Sequence, residues 1–287
     1  MILTMLDTIA HRWLRIPYKL HADVVQDPSR PHATLLLLHG IGNNGHSWDT
    51  IVHQLPDNVR IVTIDLLGFG RSPRPHRIEY SAHEQARSIL RTYLSLGIPG
   101  RVIIVGHSLG ALIAVELAKR YPLLAKSLVL VSPPFYRPED PATKQLLPRP
   151  DAMLRKIYRT VEKQPSEFVQ LASIAMKYKL VNQVFSVTDE NVASYMATLQ
   201  TAIVNQTSIN DVEQLTLPIE IIHGRLDPLV VTKNLRYLAR TMPNVSLSHT
   251  MSNHELSGTI VPATVRAIKR SITLGERSNP IHRIRRK

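Results

Sequence analysis

Two hydrophobic patterns alternate along this chain. Short unbroken apolar runs end in turn residues: "TLLLLHG" (34–40), "VRIVTIDLLGFG" (59–70), "RVIIVGHSLG" (101–110), "KSLVLVSPP" (126–134) and "PIEIIHG" (218–224). A run of this length, rich in β-branched residues and closed by Gly or Pro, predicts a strand buried on both faces. Between the runs the spacing is helical. Ser81 followed by Glu84 forms a capping box; Ile89, Leu90, Tyr93 and Leu94 then mark one face, and Gly97 ends the helix. Residues 111–121 are good helix formers stopped by Pro122, and 231–241 and 262–274 predict two more helices. Strands alternating with helices imply right-handed βαβ units and a mostly parallel sheet. "YKLHADVVQ" near residue 20 alternates as an antiparallel edge strand does. "NVSLSHT" (244–250) alternates too, with Val245, Leu247 and His249 on one face, so His249 reads as a histidine satisfied within the sheet.

Residues 135–211 break this rhythm. They follow Pro133 and Pro134 and open with Pro138, Pro141, Pro148 and Pro150, which is linker chemistry. Thr188, with Asp189 and Glu190 in the first turn, predicts a helix start suited to the positive dipole end. Val192, Tyr195, Met196, Leu199 and Ile203 fall on one face of that helix, with Tyr195 and Met196 as helix core. The expected organisation is a core domain of residues 1–134 and 212–287, interrupted by a helical cap insertion over 135–211 and closed by a flexible basic tail over 276–287.

Composition narrows the function. At 287 residues, 44% hydrophobic and 20% charged, the chain is an ordinary globular one. It has no cysteine, so disulfides, thiolate catalysis and Cys-ligated metals are excluded. The formal net charge of +13 is concentrated in part at Arg283, Arg285, Arg286 and Lys287. No aromatic residues interleave that tail, so it reads as a solvated end rather than a nucleic-acid site. No apolar run is long enough to span a membrane. Asp7 interrupts the first apolar stretch, which lacks a basic start and a small-residue cleavage site, so a signal peptide is not expected and the cytoplasm is the expected location.

Gly106-His107-Ser108-Leu109-Gly110 fits G-x-S-x-G, with a predicted strand before it and a helix after it. A serine on such a turn is pushed out of the sheet edge, and the flanking glycines give the turn room. At this point the chain resembles the α/β-hydrolase family. "LLLLHGIGNNGHSW" is similar to the family's strand and oxyanion loop, "DLLGFGRS" to its Asp-x-x-Gly-x-Gly-x-Ser loop, "HGRLDPLV" to its acid-bearing segment and "SNHELSG" to its histidine loop. The resemblance implies an α/β fold with an eight-stranded, mostly parallel sheet, a helical cap and a Ser–His–acid triad. It would use Ser108 as nucleophile, His254 as base and Asp227 as orienting acid, in the chain order this fold uses. Asp140 and Asp211 are rival acids that follow no such strand. Leu109 and Ile41 would supply the oxyanion N–H groups, with Gly42 the alternative to Ile41. His39 would be structural, Asp65 would tie its loop down, and Asn43, Asn44 and His46 would either line the entrance or form a solvated loop. The family commonly has glycine before the base; here Asn253, which tolerates a left-handed backbone, takes that place.

Each role has a chemical reason. A serine hydroxyl needs an adjacent base at neutral pH, imidazole suits that task, and a carboxylate fixes the imidazole's tautomer. The expected activity is cofactor-free hydrolysis of an ester or related acyl bond in a small, partly apolar substrate. C–C bond hydrolysis or acyl transfer on the same triad is the alternative, and a non-catalytic binding protein is the more distant one. Haloalkane dehalogenation would need an aspartate at position 108. Gly68-x-Gly70 lacks the full dinucleotide fingerprint, and His254-Glu255 lacks the second histidine of a zinc motif, so no metal or nucleotide is expected.

Overall fold

The computed structural model describes residues 9–76, 78–137, 187–188, 190–204 and 206–277, together with position 170. Its strands are β1 (Ala22–Gln26), β2 (Ala33–Leu38), β3 (Val59–Ile64), β4 (Val102–His107), β5 (Ala125–Val131), β6 (Ile219–Gly224) and β7 (Val245–Thr250). Its α-helices are α1 (Asp49–Val52), α2 (Ala82–Ser95), α3 (Leu109–Arg120), α4 (Val192–Thr198), α5 (Ser208–Val212), α6 (Thr232–Thr241) and α7 (Ile260–Arg277). The apolar runs become β2 to β6, and the alternating stretches become β1 and β7.

The strands form one sheet in the order β1-β3-β2-β4-β5-β6-β7. Every neighbouring pair is parallel except β1 with β3. The sheet has seven strands among the described residues, where the resemblance implied eight. The edge strand on one side is β1. Its register slips between Val24 and Gln26, and a bulge of this kind twists an edge away from further pairing.

Alternation along each strand builds two cores. Leu36, Leu38, Ile104, Leu128, Leu130 and Ile221 face one side, where α2, α3 and α6 cover them. Leu35, Leu37, Ile103, Val105, Val129 and Ile222 face the other, where Trp48, Ile51 and the apolar stripe of α7 close over them. A helix buried nearly all round must be apolar nearly all round, and α3 is. The chain leaves β2 toward β3 on one side and returns to β4 on the other. The turns after β2 and β4 are therefore neighbours at the switch point, where open α/β sheets leave a crevice.

Several local expectations shift. Ser81 does cap α2, accepting from Glu84 N–H at 3.3 Å. Its buried face, however, runs through Gln85, Ser88, Ile89, Thr92 and Tyr93, which leaves Leu94 66% exposed. The helix expected to start at Thr188 begins at Val192 with Asn191 as its N-cap. The Asn191 side chain accepts from Thr188 N–H at 2.8 Å, so a turn occupies what would have been the first helical turn. Ser194, Thr198, Leu199, Ala202 and Ile203 carry the fully buried face, while Tyr195 and Met196 are half-buried. α7 begins two residues before Pro262, which its first turn tolerates. Most of the 135–211 insertion, including its prolines from Pro138 onward, lies outside the described residues. So do positions 278–287 of the expected 276–287 tail; its first two positions, 276 and 277, are the last of α7.

One polar contact ties α7 to the sheet. Arg270 donates from Nε and Nη2 to the two carboxylate oxygens of Glu220 on β6, at 3.1 and 2.6 Å. Glu220 is buried, whereas about half of the Arg270 side chain is exposed. Arg270→Met should leave the glutamate charge uncompensated. We expect a loss of about 2 kcal/mol, below the range for a fully buried pair because the guanidinium is partly solvated. Urea unfolding of the two proteins measures it, and a change within error would show the pair to be stability-neutral.

Candidate active site

Ser108 follows β4 directly, with φ 52° and ψ −115°. A residue with a Cβ enters this region only when its surroundings force it. The surroundings are specific. Ser108 N–H donates to Val131 O at 2.9 Å, and its carbonyl accepts from Ala111 N–H at 3.0 Å. A Cβ on Gly106 would lie 2.3 Å from Gly110 O, and one on Gly110 would lie 2.1 Å from Leu38 O. Only glycine fits at either place. Leu109 is the first helical residue, so its N–H has no carbonyl four residues back, and the positive end of α3 faces the serine.

The turn after β2 presses on the same serine. A Cβ on Gly40 would sit 3.4 Å from Ser108 Cβ and 3.0 Å from His107 Nδ1. Ile41 comes next, half-buried, and Gly42 takes φ 75°. His39 anchors this turn. Its Nε2 accepts from Leu66 N–H at 2.9 Å, so the proton sits on Nδ1, which donates to Gly40 O at 2.7 Å. Burial lowers the His39 pKa to about 4, outweighing the Gly40 carbonyl and the Asp65 charge, so the ring is neutral. Asp65 ties down two loops at once, accepting from Gly45 N–H and Arg71 N–H at 2.8 Å each.

The structure brings Ser108, His254 and Asp227 together. His254 Nε2 lies 2.8 Å from Ser108 Oγ, and His254 Nδ1 lies 2.7 Å from Asp227 Oδ2. A carboxylate only accepts, so Nδ1 carries the proton and Nε2 is left to accept from the serine hydroxyl. Leu229 N–H donates to the other Asp227 oxygen at 2.9 Å. Burial pushes the Asp227 carboxyl up, but the hydrogen bond and charge of His254 and the Leu229 N–H outweigh it, and the group stays below its usual value.

The loops carrying the acid and the histidine are locked to each other. A Cβ on Gly224 would meet Ser252 O at 2.1 Å, and Leu226 N–H donates to that same carbonyl at 3.0 Å. Asn253 does not take a positive φ; its side chain instead accepts from Glu255 N–H at 3.1 Å, forming an Asx turn before the helix.

Sequence reasoning passed over His107, the variable position of G-x-S-x-G. Its Nε2 donates to the His254 carbonyl at 2.9 Å, joining the elbow to the histidine loop. Burial and the neighbouring His254 lower its pKa to about 3, so it too is neutral. The available signal was its place as the last residue of a buried strand. His249 is elsewhere: it lies on β7, exposed rather than satisfied within the sheet, its ring 6.2 Å from that of His223. Asp211 pairs with Lys119 at 2.6 Å. Asp140 lies outside the described residues.

Asn43, Asn44 and His46 line a cavity of about 400 Å3 with Asp65, Phe69 and Arg74, facing Thr188, Glu190 and Asn191. Among the described residues no three His, Asp or Glu side chains gather as a metal site. No helix among them is long and apolar enough to cross a membrane.

Residues 33–253 match the family model described as alpha/beta hydrolase fold. The chain is 35% identical over 114 residues to probable lysophospholipase BODYGUARD 4 of Arabidopsis thaliana, covering 39% of this chain and 27% of that protein. It is 34% identical over 138 residues to the (lyso)-N-acylphosphatidylethanolamine lipase of Bos taurus, covering 46% and 40%. The chain thus spans well under half the length of these curated relatives. The solved esterase EaEST of Exiguobacterium antarcticum superimposes with a TM-score of 0.70 at 15% identity, over 89% of this chain and 96% of the other.

His39 and His107 set the acid limit of the fold. Both folded-state pKa values lie below the ordinary 6.5, so the unfolded chain binds more protons. Their contribution to stability is complete above about pH 6.5 and is lost as pH falls toward 4, by up to about 1.4 kcal/mol per pH unit for each histidine. Denaturant unfolding between pH 7 and 4 should show this slope, and His107→Asn should reduce it by that one histidine's share. A pH-independent stability across that window would contradict it.

Proposed function

The chain belongs to the α/β hydrolase fold family, and from that premise we propose that it is a serine hydrolase that cleaves a carboxylic ester by way of an acyl-enzyme. The observation that carries this reading is the hydrogen-bonded line from Asp227 through His254 to Ser108, at 2.7 and 2.8 Å, on a strained turn.

The geometry translates into steps. Ser108 Oγ attacks the ester carbonyl while its proton passes to His254 Nε2. The imidazolium that forms is stabilised by Asp227, whose depressed pKa keeps it ionised at neutral pH. Oxyanion charge develops within reach of the Leu109 and Ile41 N–H groups, typically the largest electrostatic contribution in such sites. The tetrahedral intermediate collapses, the alcohol leaves with the proton from His254, and the acyl group remains on Ser108. Water, deprotonated by the same imidazole, then releases the carboxylic acid and restores the serine. No resident cofactor enters any step.

The residue 135–211 insertion acts as the cap in this proposal. Thr188, Glu190 and Asn191 of it face the Asn43–Asn44 loop across the 400 Å3 cavity, whose lining includes Gly42 but none of Ser108, Asp227 and His254. The names of the curated relatives, a lysophospholipase and a lipase, are those of enzymes acting on lipids, and they support an acyl ester over other acyl bonds.

A fluorophosphonate should label the protein at Ser108. Ser108→Ala should lower kcat/KM on a p-nitrophenyl ester by about five orders of magnitude, and Asp227→Asn kcat by about four. His249→Gln should retain most of the activity. Undiminished turnover by the Ser108→Ala protein would remove the mechanism.

A further inference from the structure

The chain's two tryptophans lie in opposite surroundings. Trp48 is fully buried, whereas Trp13 is 77% exposed, with Leu14 at 66% and Ile16 at 37% beside it. Single apolar side chains on a surface need no explanation, but three within four residues form a patch. The patch is anchored to the fold. Ile16 N–H donates to Ala10 O at 3.0 Å and Leu20 N–H to Thr92 Oγ1 at 2.8 Å. Arg87 donates to the Arg15 carbonyl and Arg91 to the Pro17 carbonyl. Arg87, Arg91 and Leu94 follow one another on one face of α2, and Leu94 is the exposed leucine that its helical pattern did not predict.

The stretch itself is basic, flanked by Asp23, which pairs with Arg71, and by Glu84, which pairs with Arg87. From Thr8 to Ala22 the sequence carries Arg12, Arg15 and Lys19 and no acid. Arg15, Lys19 and Arg91 are exposed. Tyr18, in the same stretch, lies within electrostatic reach of Tyr80. The Tyr80 ring packs on Gly68, in the turn after β3 at the end of the sheet where Ser108 lies.

We propose that residues 11–19, with Arg91 and Leu94, dock on an anionic lipid bilayer. An indole at headgroup depth, leucine and isoleucine at the acyl boundary, and arginines on lipid phosphates form the chemistry such a surface receives. A nucleic acid would leave Leu14 and Ile16 without a partner. A second copy would set Arg15 and Lys19 against like charges. The docking is independent of the catalytic reading, because binding is measured without turnover.

Because Trp48 is already buried, a change in intrinsic fluorescence reports on Trp13. Phosphatidylcholine vesicles containing phosphatidylserine should sediment the protein and shift its emission to the blue, and both effects should fade as salt rises. Phosphatidylcholine alone should bind weakly. Trp13→Ala should abolish the shift and weaken sedimentation by about tenfold, a difference of about 1.4 kcal/mol. Arg15→Glu with Lys19→Glu should remove the preference for the anionic vesicles. Both variants should keep the parent's far-ultraviolet circular dichroism and urea midpoint, which shows them folded. The proposal is overturned if no shift occurs. It is also overturned if Trp13→Ala sediments as well as the parent, which would assign binding to the basic tail. A Trp13-dependent dimer, or Trp13-dependent capture of an oligonucleotide in preference to vesicles, would overturn it too.

Discussion

The close approach of three backbone segments at the end of β4 is the constraint from which the rest follows. Gly106, Gly110 and the Leu38 carbonyl leave no room for a side chain, and Ser108 is held at positive φ between them. Conformations of this kind cost of order 1–3 kcal/mol and persist only where the surroundings over-determine them. Here the surroundings are a helix buried nearly all round and a strand with neighbours on both sides. The two-sided core exists to hold one serine out of the sheet in one direction. The same crowding brings the turn after β2 against that serine, so Ser108 and its facing loop come from a single packing event.

Three histidines near this point have different standing. His39 and His107 are buried and neutral; both ring nitrogens of His39 bond to backbone groups, and His107 bonds through Nε2 to the His254 carbonyl. His254 is bonded to two side chains instead. Burial thus assigns the first two to architecture and leaves the third able to exchange a proton. The number of histidines would not have separated them; their hydrogen-bond partners do.

Much of the core was legible because burial on both faces writes itself as continuous apolar runs, and because G-x-S-x-G needs glycine for steric reasons that survive in one sequence. The resemblance of HGRLDPLV and SNHELSG to segments of the family then pointed to Asp227 and His254. What was missed had no periodic signal. His107 acts through a ring nitrogen reaching a carbonyl nearly 150 residues away. Leu94 fits a helical stripe but falls just outside the arc that α3 covers. Asn191 displaced Thr188 as a cap because a side-chain turn competes with the first helical turn, and both residues are good at it. Asn253 solved its turn through its amide rather than through its backbone. These are choices between near-equal local solutions, and tertiary contacts decide them.

The histidine that faces Ser108 is borne on the loop after β7, the outermost strand on its side of the sheet. An edge strand is among the first elements to open in sub-global fluctuations. Left to itself, such an opening would carry His254 away while Ser108 stayed in place. Two ties oppose this: the Ser252 carbonyl holds Leu226, and the His254 carbonyl is held from the central strand by His107. The second tie crosses from β4 over two intervening strands, so the loop is moored to the most protected part of the sheet and not merely to its neighbour. The position of His254 is thereby fixed from the centre of the sheet as well as from its edge.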